Sequence, residues 1–254
     1  MDYFALFIDG ICLLGQGVMH ILFVSRLTGK KLKPLHFTVY ILLLTALQLV
    51  SVRLSLSGTL SIAACVLELY AVSRFWMGNQ PSVSWLAAVL ACYISQLSFG
   101  IINSVEAALF PRFIGSSLLY LLLLAAQVLF FALCAGCYYA VLKLLAWTED
   151  SQTPYIGLLL FPGLFFFASE LYILETAYSF FAPIVSLEEV GKHSTLLLLQ
   201  VMGLAALLCT LYAYRQLCRG FQAQAELQSL TQAAHAQKVY IAEAQARYEQ
   251  TKSF

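Results

Sequence analysis

The sequence predicts an all-α fold: a polytopic membrane bundle of about seven transmembrane helices, followed by a long cytoplasmic connecting helix. Three observations predict it. Hydrophobic residues make up 61% of the chain and charged residues 11%, with a mean hydropathy of +0.82, a balance foreign to a water-soluble globule. Apolar runs long enough to cross a bilayer recur from the first residues to about position 214. Beyond them Arg215–Phe254 is polar, rich in helix formers, free of proline and broken only by Gly220. The expected domains are a bundle, 1–214, and a connecting helix, 215–254.

Taken in order, the spans fall at about 3–25, 35–52, 57–77, 83–105, 116–142, 155–181 and 195–214. The first follows Asp2 rather than a basic leader, so it is expected to remain in the mature protein. Its following loop, Arg26 to Pro34, holds Arg26, Lys30, Lys31 and Lys33 and no acid. Basic loops stay in the cytoplasm, which sets the amino terminus outside. Ser57-Gly58, Gly78-Asn79-Gln80-Pro81 and Pro111 to Gly115 supply turn chemistry for three further breaks. At the span ends, Arg26, Lys30, Lys31, Lys33, Arg74, Lys143, Arg215 and Arg219 then lie inside, against Arg53, Arg112 and Lys192 outside. Trp76, Trp85 and Trp147 fall at inner ends, as an interfacial belt requires. The expected location is the plasma membrane, multi-pass, with the carboxy terminus cytoplasmic.

In the terminal segment, Leu227, Leu230, Ala234, Gln237, Ile241, Ala244, Tyr248 and Thr251 alternate spacings of three and four, a heptad seam. A parallel dimeric coiled coil is the expectation; a solvated amphipathic helix lying on the protein or the lipid surface is the alternative. Unbroken, the segment is about 60 Å long. Its end, Ala246-Arg247-Tyr248-Glu249-Gln250-Thr251-Lys252-Ser253-Phe254, resembles the stretch just ahead of the phosphoacceptor motif in peptide-pheromone-sensing histidine kinases of the accessory-gene-regulator type, which carry a GHKL ATPase domain. That resemblance implies a quorum-sensing, two-component signal-transduction input: a membrane sensor, a connecting helix, then an Arg-His-Asp-x-x-Asn-His motif. The chain ends where that motif would begin. ATP, magnesium and a response regulator are therefore implied only through a kinase domain absent from this chain, and no cofactor is expected within it. His235, flanked by Ala234 and Ala236, lacks the Arg-His-Asp context and is read as an exposed helix residue.

Ionisable and amide groups inside spans are expensive and mark function by default. Asp9, Gln48, Asn103 and Glu170 fall in outer halves, Glu175 near the outer surface, and Glu68, Gln96 and Gln127 near the middle. The reading is an outward-facing pocket lined by Asp9, Glu68, Gln96, Asn103, Glu170 and Glu175, walled by Phe161 to Phe167. It suits an extracellular peptide or a small, largely apolar ligand. Against this stands a purely structural role, with each group bonded to a neighbouring helix. Glu170 and Glu175 lie about 140° apart on a helix, so they do not form a paired-carboxylate catalyst. Pro162-Gly163 marks a candidate hinge, or a static bend. His20 is expected at the inner interface, and Ala132 with Gly136 forms a small-x-x-x-small pair for close helix packing.

Several classes are excluded. A formal charge of +1 and the lack of any basic run with aromatics give no basis for nucleic-acid binding. The seven cysteines are an odd number placed mostly in apolar spans, the pattern of small buried hydrophobes. Cys134-x-x-Cys137 has no second pair or histidine near it in sequence, so no metal site is expected. No catalytic motif is present, and an enzyme is expected only if a kinase domain follows. The expected function is a membrane sensor, homodimeric and lipid-embedded, relaying a signal through Arg215–Phe254. The alternatives are a small transporter with a regulatory tail and a stand-alone membrane partner that docks an effector.

Overall fold

The computed structural model describes residues 3–109, 113, 118–145, 156–177 and 187–252. Among them the chain is helical, without a strand: α1 (Tyr3–Thr28), α2 (Pro34–Leu54), α3 (Gly58–Ala71) continuing into a π-helical turn Val72–Trp76, α4 (Pro81–Leu109), α5 (Leu118–Leu144), α6 (Ile156–Ala177) and α7 (Leu187–Lys252). The chain divides into two units, Met1–Leu211 and Tyr212–Phe254. Six helices are long and apolar enough to cross a membrane: α1, α2, α3 with its π turn, α4, α5 and α7. The expected count of seven is thus met by six among the described residues. Trp147 and the acidic connection at Glu149 and Asp150 lie outside them.

Local chemistry explains the first three reversals. After α1, Gly29 takes φ +66°, a conformation glycine adopts without strain, while Ser25 Oγ donates to Lys30 O at 2.7 Å. Pro34 then opens α2 at a first-turn position, where its missing N–H costs nothing. The tight α2–α3 hairpin ends α2 on a left-handed Ser55 and starts α3 on Ser57, whose hydroxyl caps Leu60 N at 3.3 Å. Between α3 and α4, Gly78 has φ +69°. Arg74 Nη1 donates to Asn79 O at 2.7 Å, Asn79 Nδ2 to Ser73 Oγ at 3.0 Å, and Ser73 Oγ to Ser84 Oγ at 3.1 Å. Ser73, Asn79 and Ser84 are buried, so this turn is held by satisfied polar groups.

The hub is α4, which packs against α1, α3, α5 and α6. Every residue from Leu86 to Ser95 is buried, so no side of this stretch is left for lipid, as expected of a helix apolar all round. Lipid tails are as apolar as leucine, so helices associate through close packing rather than through the hydrophobic effect. Ala87, Ala88 and Ala91 keep the α4 surface low. Around it Phe23 stacks on Tyr138 with centroids 4.4 Å apart, Tyr138 Oη donates to Ala91 O at 2.8 Å, and Tyr93 meets Phe167 edge-on at 6.3 Å. Leu42, Leu49, Leu121, Val128 and Phe161 point outward, more than half exposed, as lipid-facing side chains do.

The small-residue packing falls at positions other than those expected. Ala132 and Gly136 are exposed, and a Cβ on Gly136 would meet nothing within 4 Å. Close approach is made instead at Gly15 against Phe131 and at Gly17 against Ile41 and Leu44. Replacing Leu90 by alanine at the fully buried centre of α4 is expected to cost about 2–5 kcal/mol. Leu121→Ala on the outward face should cost less than about 0.5 kcal/mol. Thermal unfolding of the two purified variants in detergent measures the difference.

Candidate functional site: a buried carboxylate and amide between three helices

Of the polar residues that the sequence singles out, Glu170 is the one the structure builds into a site. It is buried on α6, and its Oε1 accepts a hydrogen bond from Gln200 Nε2 of α7 at 3.3 Å. Gln200 is fully buried, and its Oε1 stands 3.5 Å from the Ser104 hydroxyl of α4, which donates to it. Three helices therefore meet through a carboxylate, an amide and a hydroxyl. Both bonds are long, close to the limit of a useful hydrogen bond.

The seat for Gln200 is cut by helical periodicity. On α4, Tyr93, Leu97, Gly100 and Ser104 follow spacings of four, three and four, one stripe of the helix. Gly100 is the floor of the seat, because a Cβ there would run into the Gln200 amide. On α7 the facing stripe is Leu196, Gln200, Gly203, Leu207 and Leu211, all buried except half-buried Gly203. A Cβ on Gly203 would stand 3.2 Å from Tyr93 Oη. Glycine at both positions lets the two helices approach while one large amide fills the gap. The Glu170 carboxylate, buried in a low-dielectric interior and bonded to Gln200, depends on what donors surround it.

The other expected site residues divide. Gln96 and Asn103 are half-buried on α4 and seven residues apart, so they flank the Gly100 seat along its stripe. Glu68 lies on α3, and both its carboxylate oxygens are buried without a hydrogen-bond partner among the described residues. Gln48 is exposed, which removes it from the inward-facing set. The side chains of Asp9 and Glu175 lie outside the described residues. Pro162 sits inside an unbroken α6, and Gly163 is buried with its Cβ position 4.0 Å from Val89. In the unit Tyr212–Phe254 the seam residues Leu227, Leu230, Ala234, Gln237, Ile241, Ala244 and Tyr248 are all exposed along α7.

Gln200 is the residue that sequence reasoning missed, although its signal is the same as that of Glu170. It is a lone amide in the run Leu196 to Met202, and the rule that flags polar groups in spans applies to it equally. His20, expected at the interface, is instead buried beside Tyr40. No family model, curated protein or solved structure matches the chain.

Interhelical hydrogen bonds of this kind are worth about 0.6 kcal/mol on average and up to about 1.7 kcal/mol. A double-mutant cycle with Glu170→Ala and Gln200→Ala, read by thermal unfolding in detergent, should give a coupling of about 1 kcal/mol. The cycle Glu170→Ala with Gln48→Ala should give none.

Proposed function

We propose that the chain is the membrane sensor region of a two-component histidine kinase, taking an extracellular peptide or small apolar ligand as its signal. In this reading seven helices cross the plasma membrane with the amino terminus outside, α6 being the crossing beyond the six of clear membrane length. The ligand alters the surroundings of Glu170, and α7 carries the change towards a kinase domain that this chain does not contain. ATP, magnesium and a response regulator belong to that domain.

One observation carries the reading. The helix whose Gln200 is seated against α4 and Glu170 is the same helix that runs on, exposed, through Phe221–Gln250. A relay needs an element with two arrangements that ligand can bias. Two long hydrogen bonds between a carboxylate, an amide and a hydroxyl are readily exchanged for others, whereas the close-packed Leu86–Ser95 stretch is not. The exposed seam from Leu227 to Tyr248 gives the output a means of pairing with a second copy, and a polar seam residue such as Gln237 fixes register at a cost in stability.

Two measurements test this. Sedimentation of the full chain in detergent should give a dimer, and Leu230→Glu with Ile241→Glu should give a monomer of unchanged helix content by circular dichroism. A monomeric native chain would remove the coiled-coil output. Separately, an amino-terminal tag should be digested by external protease on intact cells and a carboxy-terminal tag only after lysis. Termini on one side of the membrane would contradict seven crossings.

A further inference from the structure

A second cluster joins α1, α3 and α4, at Cys92 of α4 rather than at the Gly100 seat of Gln200. One ring nitrogen of His20 on α1 and the sulfurs of Cys65 on α3 and Cys92 on α4 all lie within 4.8 Å of one another. The two sulfurs are 4.0 Å apart and both thiols are free, well beyond the disulfide length of about 2.05 Å. Tyr40 of α2 closes the group, its Oη 3.0 Å from His20 Nδ1 and 4.0 Å from Cys65 Sγ. His20, Tyr40 and Cys92 are buried and Cys65 is half-buried. Four helices thus converge on one imidazole, two thiols and a phenol.

We propose that His20, Cys65 and Cys92 bind a divalent metal ion of the zinc class. In a tetrahedral site, metal–sulfur bonds of about 2.3 Å and metal–nitrogen bonds of about 2.0–2.1 Å put ligand atoms roughly 3.5 Å apart. The triad, with its ligand atoms within 4.8 Å of one another, reaches that spacing by a contraction of about 1.3 Å or less, within the range of side-chain torsions. Sulfur and imidazole donors together favour zinc or copper(I) and disfavour magnesium and calcium, which take oxygen. Charge separates the first two. Two thiolates and a neutral imidazole bring a divalent ion to zero net charge, but leave a monovalent ion at minus one, which an apolar interior resists. Binding converts both thiols to thiolates and releases their two protons.

Two further features fit a metal site. His20 Nε2 has no hydrogen-bond partner among the described residues, while Nδ1 is held by Tyr40. A phenol on one ring nitrogen fixes the orientation of the imidazole, as outer groups do around bound metals. Glu68 lies one helical turn beyond Cys65 on the same face of α3, and its carboxylate oxygens are buried and unpartnered among the described residues. As the next polar group along that face, its carboxyl in the neutral form is the candidate fourth donor, which keeps the zinc site uncharged. The pair Cys134 and Cys137, three residues apart, is not part of such a cluster among the described residues and serves as the control.

The test uses the full chain, purified under reducing conditions in detergent and titrated with zinc against a chelator, and with cobalt(II) as an optical probe. The expected result is one ion per chain, with thiolate-to-cobalt charge-transfer absorption. Stoichiometric binding should vanish in Cys65→Ser with Cys92→Ser, weaken about 10–100-fold in Tyr40→Phe, and persist in Cys134→Ser with Cys137→Ser. Should the double serine variant fail to fold, alkylation of the native chain decides: zinc should protect Cys65 and Cys92 and leave Cys134 unchanged. Absence of zinc binding by the folded chain, retention of the ion in the Cys65/Cys92 variant, or stoichiometric copper(I) binding without zinc would each overturn the assignment.

Discussion

Hydrocarbon gives helices no hydrophobic drive to associate, so the fit of their surfaces has to do most of what water does elsewhere, and in this protein that fit is concentrated on α4. The stretch Leu86–Ser95 is closed on every side, which requires α1, α3, α5 and α6 each to approach it closely. Small residues at Ala87, Ala88 and Ala91 permit the approach, and large rings at Phe23, Tyr93, Tyr138 and Phe167 fill what remains. Cys92 and Ser104, which anchor the two candidate sites, are both on α4.

Those two groups differ in the kind of work their chemistry allows. Glu170, Gln200 and Ser104 share only hydrogen bonds, long ones, and can trade them at small cost. His20, Cys65 and Cys92 are soft donors whose value lies in a much stronger, directional bond to an ion. The first suits a place where helices shift and the second a place where they are clamped together. Their separate positions along α4, at Ser104 and at Cys92, let a single helix serve both.

Most of the architecture was legible because the bilayer imposes it. Spans of fixed length and turn residues such as Gly29, Gly78 and Pro34 are local signals, and α1 to α6 each begin within a few residues of where they place them, whereas α7 starts at Leu187, eight residues early, and runs unbroken through the change of composition near Arg215. What remained hidden was which helix face meets which. The pair Ala132 and Gly136 has the right spacing yet turns outward, while Gly100 and Gly203, without a motif, carry the close contact with α7. Glu170 was visible as an acid in an apolar span, and Gln200 carried the same signal in weaker form because an amide is a smaller offence to hydrocarbon than a carboxylate. The grouping of His20, Cys65 and Cys92 could not be read from spacing at all. Linear metal motifs work when ligands share one element, and here each comes from a different helix.

The seat at Gly100 ties together two positions a hundred residues apart in the chain. A side chain at 100 would take the space that the Gln200 amide now fills, so the amide would have to move out of its seat. A residue smaller than glutamine at 200 would in turn leave a hole facing Ser104 and an acid without its donor. Bulk gained at 100 is best accommodated by bulk lost at 200, so descendants of this chain should tend to change the two as a pair, trading bulk from one helix to the other. Such paired exchange would be a record of the α4–α7 contact that accumulates in sequences, where no single sequence displays it.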